Sequence, residues 1–114
     1  MPMIDIKVSV PISKETEERL KVQLGKAIAL LPGKSEQWLM LGFEENARLW
    51  FQGSAQQSSA FAEVKAFGSL DCAACDKLTA EITRILESEL SIPAQRVYVK
   101  YESVSVWGWN GANF

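Results

Sequence analysis

The first residues to examine are those able to move a proton near neutral pH. The 114-residue chain contains no histidine, the side chain that most often does this work. What remains is a perturbed cysteine, lysine or carboxylate, or a terminal amine with an ordinary pKa of about 7.7–8.0. The sequence opens Met1-Pro2. If Met1 is trimmed, the terminal amine becomes the secondary ring nitrogen of Pro2, rigidly held at the start of a strand.

A second candidate chemistry lies in Cys72-Ala73-Ala74-Cys75. The pair follows a predicted strand and opens a predicted helix, where a thiolate is stabilised. Cys75 also fits that helix's apolar stripe, where cysteine behaves as a small hydrophobe. The structural reading is the favoured one. Two cysteines without histidine leave a zinc site short of its usual ligands, so no metal and no cofactor are expected.

The elements that would position these groups follow from periodicity. Ile4, Ile6, Val8 and Val10 alternate with Asp5, Lys7 and Ser9, which predicts a half-buried strand over 3–10. Pro11 ends it, and Ser13 is placed to cap a helix. Leu20, Leu24, Ala27, Ile28 and Leu31 share one face of a helix over 14–31, stopped by Pro32-Gly33. The apolar run 38–43 predicts an interior strand. Arg48-Leu49-Trp50-Phe51 predicts a short strand ending at Gly53.

The second half repeats the order. A strand over 60–67 is followed by a helix over 72–90, capped by Ser69 or Asp71. Its stripe is Cys75, Leu78, Ile82, Ile85, Leu86 and Leu90. An alternating strand follows over 97–102, and the tail from 106 reads as a short strand into a turn. Neither half can bury its own apolar face. The expectation is therefore one domain over 1–114, with halves of about 1–54 and 55–114, of class α+β.

One sheet face is apolar enough to take both helices. The other carries Asp5, Lys7, Glu63, Lys65, Lys100 and Glu102, which can pair across strands. Two readings stand for it: a solvated face, or a face turned toward other subunits around a polar channel. Aromatics near strand ends (Trp38, Trp50, Trp107, Trp109) favour the second.

Composition excludes several classes. Hydrophobic content of 47% and charged content of 23% are those of a globular protein. A net charge of −2 gives no nucleic-acid or anionic-membrane partner. No run approaches the roughly 18 apolar residues of a membrane span. No basic segment precedes an apolar one at the N-terminus, so a cytoplasmic protein is expected.

Taken together, Met-Pro-Met-Ile at the start, Gly33-Lys34, Gly53-Ser54, Arg96-Val97-Tyr98 and Trp109-Asn110-Gly111-Ala112-Asn113-Phe114 resemble macrophage migration inhibitory factor and its microbial homologues, in the tautomerase superfamily. The motifs span nearly the whole chain in order. The resemblance implies two pseudo-symmetric β-α-β units forming a mixed four-stranded sheet with two helices on one face. It implies a homotrimer with an active site at each subunit interface; the cytoplasmic expectation leaves room for release without a signal peptide. The implied activity is keto–enol tautomerisation of a phenylpyruvate-like, or dopachrome-type, small carboxylate substrate.

It also implies roles for residues. Processed Pro2 is the base, and Lys34 holds the substrate's oxygens. Phe67 falls where the family usually has isoleucine, whose backbone amide helps bind the carboxylate. Tyr98 matches a tyrosine donated by the neighbouring subunit, and Trp109 and Phe114 match pocket walls. Lys100 replaces an asparagine of the vertebrate factor, and Trp107 fills a position often held by valine. Ser58-Ser59-Ala60 occupies the region of the vertebrate Cys-x-x-Cys, so no redox role is inherited. The alternative is a trimeric cytokine-like binding protein with a vestigial pocket.

Overall fold

The alternation at the N-terminus produces the strand that the rest is built on. In the computed structural model, which describes residues 1–114, β1 runs Pro2–Val8 with every second residue buried. It lies between two partners in a four-stranded sheet. β2 (Met40–Glu44) pairs with it in parallel, and β3 (Ala60–Phe67) pairs antiparallel. β4 (Val97–Val104) is parallel to β3, giving the order β2-β1-β3-β4.

Each parallel pair needs a crossover, and a helix supplies it. α1 (Lys14–Ala27) joins β1 to β2, and α2 (Cys72–Leu90) joins β3 to β4. Ser13 caps α1 by accepting from the Thr16 amide, and Asp71 caps α2 by accepting from that of Ala74. Both helices lay their apolar stripes on one sheet face. Ile4, Ile6, Val8, Leu20, Leu24, Ile28, Val64, Leu78, Ile82 and Ile85 form a single buried cluster there.

The opposite face carries the charges in rows set by register. Asp5 lies beside Glu63, and Glu63 beside Lys100; Met3, Lys65 and Glu102 form the next row. Two carboxylates side by side repel. Lys100 relieves this by reaching Glu63 at 3.9 Å and Glu102 at 3.5 Å.

Several predicted elements are corrected. The first helix is α-helical only to Ala27, and Ile28–Leu30 tightens to a 3-10 turn. The run 38–43 is not an interior strand. Glu36–Trp38 is a 3-10 turn, and β2 is an edge strand whose Met40 is 66% exposed. Its apolar character therefore does not come from burial on both sides. Residues 48–51 form no strand. Phe51 instead exchanges both backbone hydrogen bonds with Ser54, at 2.9 and 3.1 Å, around Gln52 and Gly53 at positive φ.

The tail is more regular than expected. β5 (Gly108–Trp109) and β6 (Ala112–Asn113) form a hairpin. Asn110 and Gly111 both have positive φ, as the tightest two-residue turn requires.

Candidate active site at the chain start

The site forms where the ends of β1 and β3 meet. Phe67, the last residue of β3, donates its N–H to the Met1 carbonyl at 3.0 Å. Its own carbonyl accepts from the Lys34 ammonium at 2.8 Å. Lys34 reaches this point because the chain turns back after α1, with its N–H bonded to the Leu31 carbonyl. One peptide segment thus ties together the chain start, the lysine and the end of the central antiparallel pair. Pro2 is buried just behind it.

Aromatics close the other sides. Phe114 packs against Phe67 with ring centroids 5.4 Å apart. Trp109 meets Trp38 edge-on at 5.1 Å. Trp107 is half-buried, and its carbonyl accepts from the Phe114 amide at 3.0 Å, which closes the hairpin. A cavity of about 280 Å³ is lined by Met1, Trp38, Phe67 and Phe114. It is near the small end of ligand-site volumes, suited to one aromatic ring. A larger hollow of about 640 Å³, among Ser9, Asn46, Arg48, Trp50 and Gln57, is lined by no group that is basic and neutral near pH 7.

The electrostatics favour a neutral amine here. Burial, and then the Lys34 charge, hold the Met1 amine below its ordinary value of 8.0. Both act on the cation, which loses hydration and gains a like-charged neighbour. The Cys75 thiol behaves otherwise. Burial, then Cys72, Asp71 and Asp76, push the Cys75 thiol up, away from the thiolate expected at a helix start. No group of three or more His, Cys, Asp or Glu is placed to hold a metal ion.

The residues singled out in the sequence therefore divide. The chain start, Lys34, Phe67 and Phe114 converge, and Trp109 joins them through Trp38. Tyr98 and Lys100 do not. Pro2 pairs with Ala66 and Tyr98 with Phe61, so about 16 Å of β3 separates them. Tyr98 is 63% exposed, and Lys100 is occupied by its two carboxylates. Trp38 was missed as a wall. Its signal was its position one turn after Lys34, just before the strand parallel to β1.

A sheet of two β-α-β units backed by two helices, with a small aromatic cavity at the chain start, defines a tautomerase-superfamily fold. The family model described as macrophage migration inhibitory factor matches residues 1–114, and the chain belongs to that family. The MIF2 structure of Leishmania major is 32% identical, with a TM-score of 0.93, over 100% of this chain and 97% of that one. The homologue from Prochlorococcus marinus is 29% identical, with a TM-score of 0.82, over 98% of both chains. The Entamoeba histolytica protein, at 20% identity and a TM-score of 0.87, shares the fold. Among curated proteins, none matches the chain. No helix is long and apolar enough to cross a membrane.

Proposed function

We propose that the protein is a keto–enol tautomerase of arylpyruvate-like substrates, with the Pro2 amine as general base once Met1 is removed. The observation that carries the reading is the placement of the terminal amine. In the chain as it stands that amine is Met1's, at an aromatic-lined cavity beside Lys34 with its cation disfavoured. Trimming moves it one residue on, to buried Pro2 at the start of β1. A base that is neutral at working pH can take a proton from the carbon next to a carbonyl. The electron pair moves onto the carbonyl oxygen, where Lys34 offsets the developing charge. The same amine, now protonated, returns the proton to oxygen or carbon.

Removal of Met1 acts on more than the base. It takes the acceptor away from the Phe67 N–H and vacates one wall of the cavity. The freed N–H and the Lys34 ammonium then offer donors to a substrate carboxylate, while Trp38, Phe67 and Phe114 take the aryl ring. In this reading Tyr98 and Lys100 serve a neighbouring subunit of a homotrimer, packed through the charged sheet face. The protein acts in the cytoplasm.

The test is phenylpyruvate tautomerisation by material whose intact mass lacks Met1. Pro2→Gly keeps a terminal amine but makes it primary and loosely held, and it should slow turnover strongly while the fold survives. Undiminished turnover in Pro2→Gly would overturn the reading. No turnover in fully processed wild-type protein would do so as well, in favour of a binding protein with a vestigial pocket.

A further inference from the structure

Arg96 is 6% exposed, which is unusual for a cation. Every hydrogen bond it makes goes to a neutral oxygen. Nε donates to the Ser59 hydroxyl at 2.9 Å and the Ser58 carbonyl at 3.3 Å. Nη1 donates to the Phe51 carbonyl at 3.1 Å. Nη2 donates to the carbonyls of Ser54 and Gln57 at 2.9 and 3.1 Å. Charge-assisted bonds are the stronger kind, and only a planar guanidinium fork can serve this many acceptors at once. The loop 51–58, held besides by the turn at Phe51–Ser54, a Gln56 N–H to Ser54 hydroxyl bond and a Ser58 hydroxyl to Ser91 carbonyl bond, is gathered onto this single side chain.

The guanidinium carbon also lies 5.3 Å from the centroid of the Phe51 ring. That ring meets Tyr98 edge-on, at 5.1 Å and 83°. Tyr98 itself projects into solvent. An exposed tyrosine spends conformational entropy when it is ordered for a site. A fixed aromatic edge beneath it lowers that cost before any partner arrives.

We propose that Arg96 is a positioning residue that acts through Phe51 to hold Tyr98 in the orientation a neighbouring active site requires. This rests on the reading above, in which Tyr98 enters a neighbour's pocket.

The test uses the two tyrosines of the chain, Tyr98 and Tyr101. Fluorine NMR of protein labelled with 3-fluorotyrosine gives one resonance for each. In Arg96→Lys, and in Phe51→Leu, the Tyr98 resonance should sharpen and move toward that of the free amino acid. The Tyr101 resonance should stay in place, because its hydroxyl is bonded to Thr79 and the Cys75 carbonyl. Kinetically, each variant should lower kcat/KM for phenylpyruvate by about tenfold, and far less in a Tyr98→Ala background, as for coupled neighbours.

A Tyr98 resonance unmoved in folded Arg96→Lys would overturn the proposal, as would equal losses with and without Tyr98. If Arg96→Lys does not fold, Phe51→Leu decides alone, since it leaves the backbone acceptors of Arg96 in place. If wild-type protein does not turn over phenylpyruvate, the tautomerase reading fails, and the NMR measurement still decides the positioning.

Discussion

The Met1 carbonyl accepts the hydrogen bond of the Phe67 N–H, at 3.0 Å. This contact merely continues the β1–β3 ladder by one residue, yet it occupies a donor at the cavity mouth. Turnover across preparations should therefore scale with the fraction of chains whose intact mass lacks Met1. An arylcarboxylate inhibitor should bind to that fraction alone in calorimetry. Equal binding by chains that retain Met1 would refute the link between the ladder and the site.

Lys34 has two separable effects on the amine and on the substrate. Burial and the Lys34 charge both hold the Met1 amine down, and Lys34→Ala removes the second of these from whichever amine ends the chain. The basic form is the active one, so kcat/KM rises with pH through the amine pKa. Burial and the Lys34 charge would act on the Pro2 amine as they act on that of Met1. In processed wild type the limb should therefore lie below the ordinary value of a free prolyl amine, and in the variant it should move to higher pH. Binding of carboxylate-bearing substrates should weaken by about 1.5–3 kcal/mol, the worth of a charge-assisted hydrogen bond. An unmoved limb would remove Lys34 from the amine's surroundings.

The separation of Pro2 and Tyr98 along β3 makes a mixing experiment decisive. Pro2→Gly and Tyr98→Ala should each be nearly inactive alone. Mixed one to one, refolded and reassembled, they should recover about a quarter of wild-type activity, because a quarter of interfaces then pair two intact halves. No recovery in mixed assemblies would place Tyr98 outside the site. Light scattering should give a trimer, and a monomer at micromolar concentration would end the shared-site idea.

Tyr101 should set the alkaline limit of stability. Its single proton goes to the Cys75 carbonyl at 2.9 Å, so the Thr79 hydroxyl donates to its oxygen at 2.8 Å. Burial raises its pKa above 10.0, and the folded state therefore holds the proton more tightly than the unfolded chain. The resulting stability is complete below pH 10 and falls as pH rises through the folded pKa. Tyr101→Phe should cost about 1 kcal/mol near neutrality and flatten the alkaline fall seen by denaturant titration.

The cysteines should be dispensable. Replacing Cys72 and Cys75 with serine should leave turnover within a few-fold, since both lie on α2 and neither lines the cavity at Met1. Complete loss in a folded double variant would revive a redox role.

Much of this fold was legible because the two periods are strong. Ile4 to Val8 and the stripe from Leu78 to Leu86 each have one structural solution. The site was legible less through pattern than through resemblance, because its residues come from separate stretches that meet only in three dimensions, through the Lys34 bond to the Phe67 carbonyl and the packing of Phe114 on Phe67 and Trp109 on Trp38. What escaped had contacts that no period encodes. Residues 48–51 have strand-like composition, but the turn at Gln52-Gly53 claims Phe51 first. Trp38 precedes an edge strand whose apolar run reads like an interior one. Arg96 looks like a surface cation until the carbonyls around it are seen together.

The sheet ends on two outer strands, β2 and β4, each paired on one side only. An unpaired edge is a template for any passing strand, including one from a misplaced copy. For the proposed trimer, the danger is greatest during the interval between folding and assembly. Encounter with partners quickens as protein is added, while disordered association grows faster still. Recovery from denaturant should therefore pass through an optimum in protein concentration: too dilute leaves subunits waiting with bare edges, and too concentrated drives them into precipitate.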